Sequence, residues 1–484
     1  MKPENSHSPT IFNDVVGPVM RGPSSSHSAA ALRIGKVCRE LMNGDPGRVV
    51  VSYDSGDALA TTHESQGSDM GMKGGLLGFD ADDVRLLDPD PCLADAGIDL
   101  SFRVTDTPFD LPNLYLVQMD NGKVLMEVVA ISTGGGMMEV IRINGTELSI
   151  KGDRQVELWI LENGKGLLDA PPPEGAVKRI IPLLLPTPVK EPVELPFSSC
   201  RKMMQYNEQR KGSAWELAVA YESAIGGRKE LQILQMMKEL YLHMRGSIDS
   251  GLRGTRFKDR IYGAQSTAYG KHMEAGGLAG GDAVHKINLY ISAIMEVKSS
   301  MGVIVAAPTA GACGTFPGAV IAVADSLGLD EDQVVKALLA GSLTGLFIAT
   351  SSTFSAEIGG CQAECGSGAG MAAAAIAALL GGSVEQCMAA SSMALQNSLG
   401  MICDPIAARV EAPCLGKNIS SALNALASAN MALAGYDHLI PLDEVIETMD
   451  RVGRSLPHEL RCTALGGLAT TPSAREIEKK LNKR

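Results

Sequence analysis

The stretch APTAGACGTFPGAVIAVA, residues 307–324, carries no charge over its whole length and constrains the fold more than any other segment. It reaches the minimum length of a membrane span, about 18 residues, but Pro308, Pro317 and three glycines interrupt it and no basic flank accompanies it. A buried loop running into a helix is the solution that remains. Its small side chains permit close backbone packing, and the chain shares that bias, with 53 glycines against 4% aromatic residues.

With 484 residues the chain has room for two or three domains and a large core. A net charge of −12 argues against nucleic-acid and anionic-membrane partners, both of which need clustered Lys and Arg. The opening MKPENSHSPTIF has neither the basic nor the apolar region of a signal peptide, so a cytoplasmic protein is expected. In that compartment the ten cysteines stay reduced, as buried thiols or metal ligands rather than disulfides.

The residue pattern divides the chain. GRVVVSYDSG (47–56), NLYLVQMDNGKVLMEVVAI (113–131) and MEVIRINGTEL (138–148) are rich in β-formers, and Asn121-Gly122 and Asn144-Gly145 are hairpin turn dipeptides. Residues 1–164 therefore predict an α/β, sandwich-like domain. Residues 165–197, rich in proline, predict a linker. Residues 198–484 predict a mostly α-helical domain, for an α+β chain overall. Within it, RKELQILQMMKELYLHM sets Leu231, Leu234, Met237 and Tyr241 three or four apart, and DEDQVVKALLAGSL opens on an acidic first turn. Ser383 and Gln386 have capping-box spacing, and PLDEVIETMDRVG puts Val445, Ile446, Met449 and Val452 on one face before Gly453. No fixed-period repeat and no separate regulatory module is expected.

Candidate chemistry lies between those helices. GGCQAECGSGAG carries Cys361 and Cys365, and LGMICDPIAARVEAPCLGKN carries Cys403 and Cys414, each close to Gly or Pro. Backbone N–H groups at such turns can tune sulfur ligands. The spacing is neither a ferredoxin run nor a zinc CxxC pair, so structural cysteines and metal ligands both stay open. GPSSSHS at 22–28 offers hydroxyl donors and an imidazole to a small carboxylate, or else a helix N-cap with a solvated histidine. AISTGGGMMEV at 130–140 is a tight turn or bulge, or a close approach to substrate.

Five stretches, GPVMRGPSSSHSAAALRIGK, VAAPTAGACGTFPG, GGCQAECGSG, CDPIAARVEAPCLGKN and GGLA at 466–469, resemble in sequence and order the signatures of iron-sulfur-dependent L-serine dehydratases. The resemblance spans nearly the whole chain, from a β-chain-like N-terminal part to an α-chain-like helical part. It implies a [4Fe-4S] cluster on Cys361, Cys403 and Cys414, with one iron left open to activate the serine hydroxyl. The implied reaction is loss of water from L-serine to pyruvate and ammonia without pyridoxal phosphate. It further implies His27, Ser25 and His63 as catalytic candidates, and Ser24, Ser26, Ser132, Thr133, Gly134, Gly135, Thr309 and Lys298 as substrate contacts. A homo-oligomer taking a small amino-acid substrate is expected.

Several positions depart from that family. Gln66 stands in SQGSD where relatives read GHGTD, with His63 three residues earlier, and Asn397 stands in QNSLGM where they read EHNLGL. Lys298 replaces a common asparagine. Cys462 replaces a usual glutamate, as a buried thiol or a resting-state fourth ligand. An amide cannot exchange a proton for the missing imidazoles. Threonine, cysteine or a hydroxy-dicarboxylate is therefore the alternative substrate, and a non-catalytic cluster-bearing sensor the alternative function.

Overall fold

The computed structural model describes residues 8–109, 111–161, 174–189 and 193–482, with the backbone alone of 166–168. The chain forms two compact units, one of residues 20–189 and one of residues 1–19 with 190–484.

Strand β1 (Val19–Met20) leads into α1 (Ala30–Leu41), β2 (Arg48–Asp54), α2 (Leu59–Thr62), α3 (Ser68–Leu77) and α4 (Asp90–Asp95). Then come β3 (Asp99–Thr105), β4 (Leu114–Asp120), β5 (Leu125–Gly134), β6 (Met137–Ile143), β7 (Thr146–Ile150), β8 (Val156–Ile160), β9 (Gly166–Leu168) and β10 (Val177–Ile181). Six strands form one sheet in the order β3-β2-β4-β5-β6-β7, parallel at β2–β3 and antiparallel elsewhere. A smaller antiparallel sheet has the order β10-β8-β9. Both expected hairpins form, pairing Asp120 with Leu125 and Ile143 with Thr146. Alternate residues, among them Val49, Val51, Tyr115, Val117, Val128 and Ala130, meet Ile34, Val37 and Leu41 of α1 in one core.

Helices α1 and α3 approach at backbone distance. A Cβ at Gly71 would lie 2.1 Å from the Ser28 carbonyl oxygen, and one at Gly75 would lie 2.1 Å from that of Leu32. No side chain fits there. The stretch expected as a linker, 165–197, contains β9 and β10 on its described residues; residues 165, 169–173 and 190–192 lie outside them.

The helical unit comprises α5 (Cys200–Arg210), α6 (Ala214–Gly226), α7 (Glu230–Leu252), α8 (Gln265–Glu274), α9 (Asp282–Ser299), β11 (Ile304–Val305), α10 (Thr315–Leu327) and α11 (Glu331–Ser351). It continues through α12 (Ala356–Gly359), α13 (Ser367–Leu379), α14 (Val384–Gln396), α15 (Cys414–Leu433), α16 (Leu442–Ser455) and α17 (Pro472–Leu481). At its centre lies α13, SGAGMAAAAIAAL, buried from Ser367 to Ala377 and packed by α10, α11, α14 and α15. Residues 307–324 are a buried loop followed by the first ten residues of α10. By length and composition α11 could cross a membrane, but 78% of its apolar window is buried inside the protein, as in a core helix. Residues 8–19 pack in this unit: the Ile11 N–H donates to Glu222 Oε2 at 2.9 Å, and Tyr221 donates to the Pro9 carbonyl at 2.9 Å.

Two local expectations change. In α7 the buried stripe is Ile233, Met237, Met244 and Ile248, while Leu231 is 79% exposed. The three-to-four spacing has two solutions in so Leu- and Met-rich a segment, and packing selects the other one. Gly453 does not end α16; it lies inside the helix, where a Cβ would meet Gly359 Cα at 2.7 Å.

Gly75→Ala should lower stability by about 1–3 kcal/mol, the usual cost of overpacking, read as a drop in the urea midpoint. Gly246→Ala, in α7 where nothing lies within 4 Å of the added methyl, should leave that midpoint unchanged or raise it. Equal effects of the two would refute the close-approach argument.

Candidate functional site

Four separate segments, around Cys361, Cys403, Cys414 and Cys462, deliver sulfur to one buried pocket. Cys361 follows Gly360, whose φ of +70° turns the chain out of α12, and it opens a π-helical turn, Gln362–Gly366, that feeds α13. Gln362 fixes that turn: its N–H donates to the Met401 carbonyl (3.0 Å), its Nε2 donates to the Met449 carbonyl (2.8 Å), and its Oε1 accepts from the Gly400 N–H (2.9 Å). Cys403 is clamped to residues 460–462, donating its N–H to the Leu460 carbonyl at 2.8 Å and accepting from the Cys462 N–H at 3.0 Å. Cys414 is the first residue of α15.

Cys361, Cys365, Cys403 and Cys462 pack together with Ala312 and Ala356, all buried. Cys361 lies well below the ordinary thiol range, because Cys365 and Cys403 hydrogen-bond to its sulfur and Lys417 and Lys298 add positive charge against the effect of burial. Cys365 and Cys403 are correspondingly raised, as partners of that thiolate. Burial first, then the charge on Cys361, raises Cys414 as well. Among these thiols Cys361 is the one whose ionisation the surroundings favour.

The second layer is hydrogen-bonded throughout. Asn418 donates to the carbonyls of Gly311 and Cys414, each at 2.9 Å, and to Cys365 Sγ at 3.6 Å, while its Oδ1 accepts from Thr315 N–H and Oγ1. Lys417 Nζ donates to the Ile402 carbonyl at 2.7 Å and pairs with Asp404 at 2.6 Å. Asp404 Oδ2 also accepts from the Leu468 N–H at 2.9 Å. That contact explains the GGLA stretch: a Cβ at Gly467 would lie 2.6 Å from Asp404 Cβ. Lys298, fully buried, donates to the Val410 carbonyl in the loop between Cys403 and Cys414. Thr309 Oγ1 donates to Glu364 Oε1 at 2.7 Å. Burial and the neighbouring Cys361 charge push the Glu364 carboxyl up to about 8.

The ligand atoms of Cys361, Glu364 and Cys403 all lie within 4.8 Å of one another. Soft sulfur with a single carboxylate suits iron or zinc and not the oxygen-seeking Mg²⁺ or Ca²⁺.

In the N-terminal unit the GPSSSHS segment is a buried polar knot. His27 Nδ1 lies 3.0 Å from Ser24 Oγ and 3.1 Å from Ser26 Oγ, and its Nε2 lies 3.0 Å from Thr62 Oγ1. Because Thr62 spends its own proton on the Ala58 carbonyl at 2.7 Å, a neutral His27 carries its proton on Nε2 and accepts at Nδ1. Ser25 is buried in the same turn. His63 sits differently: its Nδ1 is 2.9 Å from Asp69 Oδ1, and its ring stacks on Tyr53 at 4.6 Å. Tyr53 donates to the same Asp69 oxygen at 3.0 Å. Ser132 Oγ is buried without a hydrogen-bond partner among the described residues, Thr133 is exposed, and Gly134 and Gly135 have φ of +99° and +60° at a bulge in β5.

Of the departures, Gln66 is buried, and Asn397 is exposed and donates to Asn424 at 2.8 Å. Cys462 belongs to the thiol pocket. Glu364, Asp404, Lys417, Asn418 and Asp69 escaped sequence reasoning. Glu364 left a signal, since only Glu357 is also charged between Ser352 and Ser383.

Asp404→Ala strands the Lys417 ammonium and the Leu468 N–H inside the protein. The expected loss is about 3 kcal/mol, typical of a broken buried pair, measured by urea unfolding; a loss under about 1 kcal/mol would mean that water replaces the carboxylate.

The family model described as "Serine dehydratase alpha chain" matches residues 200–469. A Bacillus subtilis (strain 168) protein named "Probable L-serine dehydratase, alpha chain" is 35% identical over 285 residues, 59% of this chain and 95% of its own length. The Peptoniphilus asaccharolyticus "L-serine dehydratase, alpha chain" is 43% identical over 199 residues, 41% of this chain and 68% of its own length. "L-serine dehydratase 2" of Escherichia coli (strain K12) is 28% identical over 466 residues, 93% of this chain and 96% of that protein. With more than half of its length matched, and all five pocket thiols inside the match, the chain belongs to the serine dehydratase alpha-chain family.

Proposed function

We propose that the protein is a lyase that eliminates water from L-serine, releasing pyruvate and ammonia, and that Cys361, Cys403 and Cys414 hold a [4Fe-4S] cluster. The observation that carries this reading is the convergence of cysteines from four separate segments in one buried pocket of soft donors. The residues fit such a group. Cys361 is already the preferred thiolate, and Lys298 and Lys417 supply compensating charge. Bound there, a cluster with three protein ligands supplies a Lewis-acidic iron for a departing hydroxyl.

The protein's own residues then supply proton transfer and recognition. Removing the α-proton needs a base whose orientation is fixed. His63 meets that need best: Asp69 holds Nδ1, and no hydrogen bond occupies Nε2 among the described residues. His27, tied by three hydroxyls, suits recognition of a substrate carboxylate together with Ser24, Ser25 and Ser26 better than proton shuttling. The Ser132 hydroxyl and the backbone of Thr133, Gly134 and Gly135 are further polar contacts for a small substrate, and Thr309 acts through Glu364. The aminoacrylate left by elimination tautomerises to an imine, and water hydrolyses it to pyruvate and ammonia. A reducing, cytoplasmic location goes with this reading, since only reduced thiols bind iron.

Protein purified without oxygen and loaded with iron and sulfide should release pyruvate and ammonia from L-serine, and Cys403→Ala should abolish both cluster absorbance and turnover. His63→Asn should keep the absorbance and lose about 10²–10⁴-fold in kcat, the usual share of a general base. A loaded protein that leaves L-serine untouched would overturn the substrate assignment and direct the assay to other β-substituted acids, threonine first.

A further inference from the structure

We infer that Cys361, Glu364 and Cys403 form a site for a single thiophilic divalent cation, of the zinc class, distinct in its ligand set from the three-cysteine site. The competition between the two occupants rests on the cluster reading above; the cation site does not.

The donor geometry is that of one ion. Two sulfurs bound tetrahedrally to zinc lie about 3.8 Å apart and a sulfur and a carboxylate oxygen about 3.5 Å apart, given bond lengths near 2.3 and 2.0–2.2 Å. The three ligand atoms already lie within 4.8 Å of one another, so small side-chain movements close the site. Cys414 is not in that group.

The surroundings are shaped around the carboxylate. A Cβ at Gly311 would lie 2.7 Å from Glu364 Oε1 and 2.9 Å from Oε2, so only glycine leaves the carboxylate its place. Thr309 fixes Oε1 from the second layer, as outer partners of metal-bound carboxylates do. Among the described residues Oε2 has no hydrogen-bond partner. Nor do the two nearby ammoniums hydrogen-bond to it: Lys298 is held by Val410, and Lys417 by Ile402 and Asp404. Any proton still held by Cys361, Cys403 or the Glu364 carboxyl passes to solvent when the ion binds, and a fourth position remains for a small ligand.

The two ligand sets predict opposite sensitivities. Iron-free, reduced full-length protein is titrated with Co²⁺, which binds such sites more weakly than Zn²⁺ and reports thiolate ligation by near-ultraviolet charge transfer and intense visible bands. One Co²⁺ per chain should bind with a four-coordinate spectrum, and Zn²⁺ should displace it. Glu364→Gln should weaken Co²⁺ at least tenfold, at the lower edge of what disturbing even an outer-layer partner costs, while still accepting a cluster from iron and sulfide. Cys414→Ser should bind Co²⁺ as the unaltered protein does, while failing to hold a cluster. Should Glu364→Gln fail to fold, Glu364→Asp, which withdraws the oxygen by one methylene, serves in its place. Absence of sulfur-to-cobalt charge transfer, or Co²⁺ binding that is indifferent to Glu364 or is lost with Cys414, overturns the inference. Failure of every variant to assemble a cluster, with Co²⁺ bound as expected, would instead overturn the cluster reading and leave this site standing.

Discussion

Asn418 uses both sides of its amide to join parts of the chain that the sequence keeps far apart. Its two donors serve the carbonyls of Gly311 and Cys414 and the Cys365 sulfur, and its acceptor serves the N–H and hydroxyl of Thr315. An amide offers two donor hydrogens and one acceptor oxygen, and here all are engaged with good heavy-atom distances. The consequence is rigidity at the place where a metal site needs it. The loop before α10, the start of α15 and the turn before α13 cannot move independently, so the sulfurs are gathered by the fold itself. A buried network of this kind stays favourable only while it is fully satisfied. Close packing of small residues around α13 is what brings the three backbones near enough for one side chain to reach them all.

Charge sets the second constraint. Several thiols share an apolar pocket, and the interaction between them allows one to ionise readily while its neighbours stay neutral. The lysines that favour this thiolate are themselves anchored, Lys417 by Asp404 and the Ile402 carbonyl, Lys298 by the Val410 carbonyl. Asp404 in turn holds the Leu468 N–H, so the late GGLA turn belongs electrostatically to the cysteine pocket although it contributes no ligand. This is the ordinary way to keep charge inside a protein: each ion is compensated and each remaining donor finds a carbonyl.

Much of this was legible in the residues, for identifiable reasons. Runs rich in β-formers around two Asn-Gly dipeptides pointed to β4 to β7, because strand propensity and hairpin turns are local properties. Cys361, Cys403 and Cys414 could be named only through the resemblance to the dehydratase family, because sulfur close to Gly and Pro by itself left buried thiols and metal ligands both open. The buried face of α7 was misjudged because Leu, Met and Ile fill several helical stripes there, and only the neighbouring helices choose one. Asp404 and Lys417 were invisible, and Glu364 left only its isolation as a signal, for a different reason. An acid or a lysine in sequence looks solvated by default, and its burial depends on a partner 13 residues away, as for Asp404 and Lys417, or 55 residues away, as for Glu364 and Thr309.

The departures from the family pattern divide on the same physical line. Asn397 is exposed and satisfied by Asn424, so its amide works in a surface pair remote in character from acid–base chemistry. Cys462 and Lys298 are the reverse: both are buried, and both are tied to the segments that carry Cys403 and Cys414. A substrate carboxylate approaching Lys298 would have to take its ammonium from the Val410 carbonyl, a donor already committed inside the protein. Exchanging that bond costs the loop its tether, so the structure favours Lys298 as a support for the loop between Cys403 and Cys414. His63 is held just as firmly, its Nδ1 oriented by Asp69 and its ring stacked on Tyr53.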